Sequence, residues 1–220
     1  MSFLSEMYKS LDDLPSTVPV FPLGGALLLP RGILPLNIFE PRYLAMVDAA
    51  LKENRLIGMV QPKPGKARDA LYSVGCLGRL TAYQETEDGR YLITLTGICR
   101  FSIEEEMLNT MPYRTCKIST AEFKSDLRCD FADNSIDRTE FLKTFSAYLE
   151  ANNLEVDWDS LQRASDETLV NAFCMMSPYG LAEKQAFLEA ESLRKRADLL
   201  IAITERDLAA SDQPAGRSLQ

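Results

Sequence analysis

The chain has 220 residues, of which 46% are hydrophobic and 25% are charged, so it has the composition of an ordinary globular protein with enough length for one large domain or two small ones. Its 24 basic and 32 acidic side chains give a formal charge of −8, which disfavours a nucleic-acid partner because an acidic surface repels the phosphate backbone. With no histidine and five scattered cysteines that form no Cys-x-x-Cys pair, neither a metal site nor a cofactor is expected.

The first residues carry no targeting signal. Residues 1–10 lack the basic start and the apolar run of a signal peptide, and no stretch of the chain is long and apolar enough to span a bilayer. The expected location is therefore cytoplasmic, without a membrane partner. Residues 1–17 are mixed and polar-rich, which predicts a poorly fixed lead-in.

An apolar ribbon, which we define as residues 18–43, follows the lead-in. Proline donates no backbone hydrogen bond and keeps to strand edges, starts and bulges, so the prolines predict short extended pieces rather than a central strand (Pro19, Pro22, Pro30, Pro35). Pro41 suits the first turn of a helix. The spacing of Leu44, Val47 and Leu51 then predicts one apolar helix face that ends near Asn54.

A β-rich segment comes next. Residues 56–60 predict a short buried strand, and residues 61–70 predict a solvated loop with a small basic cluster. Residues 72–86 and 90–104 flank Asp88-Gly89 and predict a long hairpin. Its second arm alternates in polarity, which assigns one set of residues to the buried face and Arg100 with its neighbours to the other (buried set: Tyr91, Ile93, Leu95, Cys99, Phe101, Ile103). Gly75 and Gly78 predict bulges in the first arm, and a further strand is predicted over residues 113–123.

Helical periodicity begins near Ser125. Asp137 and Glu140 have the spacing of a capping box, ahead of a helix whose inward residues are Phe141, Phe145 and Tyr148. Ser165 predicts the start of a second helix with Leu169, Phe173 and Met176 inward. A third helix is predicted from Leu181, with a break or bend near Glu191, and residues 211–220 predict a frayed tail.

The ribbon contains two motifs, Pro19-x-Phe21-Pro22-Leu23 and Leu34-Pro35-Leu36-x-Ile38-Phe39-Glu40-Pro41-Arg42-Tyr43. Together they resemble the opening of the amino-terminal, substrate-binding domain of Lon-type ATP-dependent proteases. The resemblance implies an α+β fold, in which a curled antiparallel β-domain of the PUA-like pseudobarrel type precedes a carboxy-terminal helical bundle. The predicted division is a β-rich subdomain over 1–125, a helical subdomain over 126–210 and a flexible tail over 211–220.

The catalytic parts of Lon proteases have no counterpart in these residues. Gly65-Lys66-Ala67 lacks the earlier glycine and the hydroxyl of a phosphate-binding loop, and no Gly-x-Ser-x-Gly pattern is present. Without histidine, neither a Ser–His nor a Cys–His pair can form. Glu104-Glu105-Glu106 is interpreted as a solvated run, so the chain is predicted not to be an enzyme.

The first functional hypothesis is a non-catalytic module that binds unfolded or extended segments of other proteins, alone or together with a protease or chaperone. Its candidate peptide-binding residues lie in the ribbon (Phe21, Leu23, Leu29, Phe39, Glu40, Arg42, Tyr43). Glu40 and Arg42 have two interpretations, a clamp between ribbon and helix or a polar anchor for a bound peptide. The alternative hypothesis is a PUA-like reader of a small molecule or RNA, and a third, an uncharacterised hydrolase, rests on family labelling alone.

Overall fold

A computed structural model describes residues 7–65, 70–128 and 136–211. The chain forms two compact units, the first from Met1–Asp130 with Met175–Glu189 and the second from Phe131–Cys174 with Ala190–Gln220. Residues 175–189 thus belong to the same unit as the sheet, an assignment that the sequence did not predict. The predicted boundary at 125/126 stays a prediction, and residues 212–220 of the predicted tail lie outside the described residues.

The first unit is built on a six-stranded sheet of order β2-β5-β4-β3-β1-β6. Its strands are β1 (Thr17–Pro22), β2 (Ile33–Ile38), β3 (Leu56–Val60), β4 (Val74–Glu85), β5 (Tyr91–Met107) and β6 (Arg114–Ser119). Among these described strands, only β1 and β3 pair in parallel. The long strand β5 pairs with β2 and β4 and, over its second half, with β6, so the sheet curls back on itself. The predicted α+β class with a curled β-domain is confirmed.

The proline-rich strand β1 lies inside the sheet, so the expectation that prolines would keep this segment out of the centre was wrong. The neighbours of β1 pair with different halves of it: Thr17–Val20 face β6, whereas Val20–Pro22 face β3. Pro19 therefore has a ladder partner in β6 but none in β3. Because β3 and β6 pair with different halves of β1, the missing N–H of Pro19 is accommodated.

The lead-in is also more ordered than expected. Residues 1–6 lie outside the described part, but Tyr8 is buried in the core of the sheet, and Arg79 donates a hydrogen bond to its hydroxyl at 2.9 Å. A short 3-10 helix, Leu11–Asp13, follows. The prediction of a poorly fixed segment was wrong from Tyr8 onward because one large aromatic side chain anchors it.

The helix after the ribbon, α1 (Pro41–Lys52), begins at Pro41 as predicted, and Tyr43, Met46, Val47 and Ala50 are its buried residues. The predicted hairpin is confirmed, with Gly89 at φ +76° in its turn. The register shifts between Leu77 and Gly78, but the extra residue is Ile98 in the second arm, and Gly75 pairs regularly with Phe101. The first arm has its own extra residue at Thr81, which the glycines did not indicate. Phe101 is fully buried.

Arg100 departs from the predicted pattern. It was assigned to the exposed face of β5 but is buried, where its guanidinium forms an ion pair with Asp126 at 2.8 Å and donates to the Leu188 carbonyl oxygen at 3.0 Å. Asp126 belongs to a 3-10 helix, Ala121–Leu127, so the strand predicted to run to Phe123 ends at Ser119 instead. This helix and the segment containing Leu188 cover the second face of β5.

Five further helical segments complete the described chain: α2 (Arg138–Ala151), α3 (Trp158–Arg163), α4 (Asp166–Met176), α5 (Leu181–Glu189) and α6 (Leu193–Ser211). Asp137 caps α2 by accepting from the Glu140 N–H, and Ser165 accepts from the Thr168 N–H at the start of α4. The break near Glu191 is confirmed, whereas α3 was not predicted. Met176, predicted inward, is 83% exposed because Val170 and Cys174 occupy the buried face of α4. None of the described helices is long and apolar enough to cross a membrane.

Candidate functional site

The apolar ribbon divides into a buried part and an exposed part. Val18, Val20 and Leu27–Leu29 are in the core, as apolar side chains usually are. Ile33 and Phe39 are 66% and 62% exposed. From Ile33 to Phe39 every second residue is exposed, so surface positions replace the continuous core of Leu27–Leu29 within a few residues.

The predicted peptide-binding residues fall on both sides of this division. Phe21 and Leu29 are only 5% and 0% exposed, and Tyr43 packs its ring against that of Phe21 with centroids 4.2 Å apart. These three side chains stabilise the core and are not accessible to a peptide in this structure. Leu23 is half-buried, while Phe39 stands free on the surface.

Glu40 and Arg42 form an ion pair at the junction of ribbon and α1. The Arg42 side chain contacts a Glu40 carboxylate oxygen at 2.9 Å, and its guanidinium lies 4.5 Å from the centre of the Tyr43 ring. The Glu40 carbonyl oxygen accepts the first backbone hydrogen bonds of the helix, from Tyr43 and Leu44. Burial raises the pKa of Tyr43, with Arg42 opposing and Glu40 adding to this shift. The pair is a local contact at the surface, where such pairs add little stability.

Strand β2 is an edge strand. Among the described residues it pairs only with β5, in the register Ile33–Thr96 to Ile38–Tyr91. The Gly97 N–H donates to the Gly32 carbonyl oxygen at 2.9 Å, so Gly32 and Gly97 form a hydrogen-bonded pair. Hydrogen-bonded and non-hydrogen-bonded pairs alternate along an antiparallel ladder, so the backbone groups of Ile33, Pro35 and Asn37 point away from β5.

A shallow groove of about 500 Å³ runs beside this edge. The register aligns two rows across β2, β5 and β4, namely Pro35–Thr94–Ala82 and Asn37–Leu92–Gln84, and residues two apart in a strand share a face. Leu92, at the centre of the second row, is 42% exposed. None of the nine lining residues is charged (Pro35, Leu36, Asn37, Ala82, Tyr83, Gln84, Leu92, Ile93, Thr94).

We use the name edge surface for three features together: the outward-facing edge of β2, this groove and Phe39. Sequence reasoning identified Phe39 but missed Ile33, Asn37 and Leu92. The available signal was the odd-numbered series Ile33, Pro35, Asn37 and Phe39, which alternates with the more buried Leu34, Leu36 and Ile38. Ile33 and Phe39, two large apolar side chains among the exposed positions of that series, were the signal for an exposed apolar surface.

The described residues offer no reactive group at or near this surface. They contain no cluster of three histidine, cysteine, aspartate or glutamate side chains that could hold a metal ion. Cys76, Cys99, Cys116 and Cys174 are buried thiols outside any disulfide in the described part of the chain, and Cys129 lies outside that part. Burial raises the pKa of Cys99 to about 12 and that of Cys116 to about 11, so both thiols stay protonated near neutral pH.

Comparison with known proteins relates this chain to one protein family. A family model described as the ATP-dependent protease La (LON) substrate-binding domain matches residues 17–206. The Lon protease of Parabacteroides distasonis is 27% identical over 208 residues, which are 90% of this chain and 25% of the relative. The Lon protease of Anaeromyxobacter dehalogenans is 26% identical over 118 residues, 52% of this chain and 14% of the relative. The chain thus spans a quarter or less of the length of these relatives.

Two solved structures show the same fold. They are a Lon N-terminal domain protein from Xanthomonas campestris, with a TM-score of 0.61, and the N-terminal domain of a Mycobacterium avium complex Lon protease, with a TM-score of 0.63. Each is 18% identical, and each alignment covers 86% of this chain and 98% of the other.

Proposed function

Because this chain belongs to the family of the ATP-dependent protease La (LON) substrate-binding domain, we propose that it is a non-catalytic module that binds segments of other proteins at the edge surface. The family match covers the substrate-binding domain, and the residues of this chain contain neither a phosphate-binding loop nor a Gly-x-Ser-x-Gly nucleophile. The matched relatives are named as proteases, and this chain aligns with a part of each.

The single observation that carries the proposal is the exposed apolar character of the edge surface. Phe39 and Ile33 project from the two ends of an edge strand, and Leu92 is exposed between them in the adjoining strand. Contiguous apolar surface rimmed by polar residues is typical of sites that bind other proteins. The uncharged lining favours apolar protein segments over RNA, which would need basic side chains there.

The affinity should be low. A site that accepts many sequences cannot match the shape of each, so dissociation constants of about 1 μM to 1 mM are expected. Because apolar contacts are not screened by ions, raising the salt concentration should weaken the binding of an apolar, uncharged client only slightly.

The test is capture of casein, an unfolded protein, by the purified chain and by two variants. Phe39→Asp should lower capture at least tenfold while leaving the melting temperature almost unchanged, because the side chain is on the surface. Met176→Asp is the matched control, since Met176 is an exposed apolar residue outside the edge surface. Capture by Phe39→Asp equal to that of the parent would place the binding site elsewhere.

A further inference from the structure

We propose that residues 1–6 of this chain occupy the groove, with Phe3 and Leu4 as the contacting side chains, so that the amino-terminal segment competes with clients for the edge surface. The competition rests on the proposed function, whereas the placement of the segment rests on contacts within the first unit. Three features carry the placement: the course of one sheet face from the core to the groove, the position of Tyr8 on that face, and the match between segment and groove.

One face of the sheet runs from the core to the groove. Directly opposed residues share a face, and so do residues two apart in a strand. Arg79 is opposite Thr96, and Thr96 shares its face with Thr94, which lines the groove. In the other direction along β4, Leu77 shares the face of Arg79 and belongs to the core of the sheet. Arg79 therefore marks the point at which this face leaves the core and becomes surface.

Tyr8 lies on this face at that point. Its side chain is buried in the core of the sheet, and its hydroxyl accepts the hydrogen bond from Arg79 at 2.9 Å. The residues after Tyr8 lead to β6, where the Ile118 N–H donates to the Ser16 carbonyl oxygen at 2.9 Å. Because β6 lies at the opposite end of the strand order from β2, the groove side of Tyr8 is left to the residues that precede it.

The amino-terminal segment is long enough to reach across the groove. The far row of the groove, that of Leu92, lies four residues along β5 from Thr96, or about 13 Å at roughly 3.3 Å per residue. Phe3 precedes Tyr8 by five residues, and an extended chain of that length spans up to about 17 Å. The whole groove is therefore within the span of the segment.

The segment and the groove match in chemistry. Residues 1–5 are Met-Ser-Phe-Leu-Ser and carry no charged side chain, and none of the residues that line the groove is charged. Leu92, in the groove, is 42% exposed, and its contact with Phe3 and Leu4 would remove apolar surface of both from water. Since the segment is attached beside the groove, its effective concentration there is high, and weak contacts suffice.

An occupied groove lowers the apparent affinity for clients. A client can bind there only in chains whose segment has left the groove, so the apparent dissociation constant rises in inverse proportion to the fraction of such chains. The segment is thus an autoinhibitory contact in a module whose clients bind weakly.

The placement is tested by disulfide crosslinking in the whole chain. Phe3→Cys is combined with Leu92→Cys in the groove or, as the matched control, with Met107→Cys, since both partners lie in β5 and both are 42% exposed. All variants carry Cys129→Ser, because the other natural cysteines are buried. After mild oxidation, mass spectrometry should show several-fold more intrachain disulfide with Leu92→Cys than with Met107→Cys.

Two results of the crosslinking would overturn the placement. One is an equal or higher yield with Met107→Cys, which would show that the segment does not favour the groove. The other is a disulfide between two chains, seen as a dimer in non-reducing electrophoresis, which would show that the segment of a second copy occupies the groove.

The competition is tested by capture of casein, with the melting temperature as the check on folding. Deletion of residues 2–6, and Phe3→Ser with Leu4→Ser at full length, should each raise capture about threefold or more. Ser2→Ala with Ser5→Ala keeps both apolar side chains and should capture as the parent does. Capture that is unchanged or lower in the first two variants would overturn the competition.

The two experiments separate this inference from the proposed function. If neither the parent nor the deletion variant captures casein, the proposed function is refuted, and the crosslink yields still decide the placement. If Phe39→Asp abolishes capture but the two crosslink yields are equal, the proposed function stands and the placement is refuted.

Discussion

Replacing Phe101 with alanine should be among the most destabilising single changes in the first unit. The ring is fully buried in the core of the sheet, and its tip lies over two glycines: a Cβ built on Gly75 would be 2.5 Å from the ring and one on Gly58 would be 2.9 Å from it. Since neither glycine has a side chain that could move into the space, Phe101→Ala should leave a cavity and cost about 3–5 kcal/mol of unfolding free energy.

The complementary substitution tests the same packing from the other side. Gly58→Ala should cost about 1–3 kcal/mol because the added methyl group meets the ring of Phe101. In a Phe101→Leu background the ring tip is absent, so the cost of Gly58→Ala should fall. A double-mutant cycle measures this coupling, and purely additive effects would show that the two residues do not share the space.

The assay must report on the sheet. The single tryptophan, Trp158, belongs to the second unit, so its fluorescence would follow that unit rather than the one containing Phe101. Urea unfolding followed by far-UV circular dichroism, with hydrogen exchange of the β4 and β5 amides, is the appropriate measurement. A loss well under 1 kcal/mol for Phe101→Ala would refute the assignment of this face of β5 to the core.

Three further predictions follow. Asp126→Ala should cost about 3–5 kcal/mol because it removes the carboxylate that forms an ion pair with the buried guanidinium of Arg100, and replacing both residues with apolar ones should cost less; equal costs in urea unfolding would contradict this. The pKa values of Cys99 (about 12) and Cys116 (about 11) lie above those of unfolded thiols, so the unfolded state loses these protons first and stability should fall as the pH rises from about 9 towards 11. Urea midpoints of the parent and of Cys99→Ala with Cys116→Ala check this, and an equal pH dependence in both would contradict it. Finally, the purified chain should neither hydrolyse ATP nor cleave casein, and activity that persists through purification and is lost on substitution of one of its residues would disprove the non-catalytic assignment.

Features with local signals could be predicted from the amino-acid sequence. Asp88-Gly89 between alternating arms specifies a hairpin, because a left-handed glycine and a period of two are properties of a short stretch of chain. Pro41, Asp137 and Ser165 mark helix starts for the same reason: each acts on backbone groups within its own first turn. The ribbon motifs identified the family through residues adjacent in sequence.

Burial by distant parts of the chain could be seen only in the folded structure. Arg100 follows the polar half of a strand pattern, yet it is covered by Asp126, 26 residues away, and Leu188, 88 residues away. The candidate site shows the same limit. Phe21 and Phe39 are equivalent as apolar ribbon residues, and only the placement of β1 inside the sheet and of β2 at its edge makes the first core and the second surface. A strand's neighbours are set by the free energy of the whole sheet, so no local pattern specifies which strand is left at the edge.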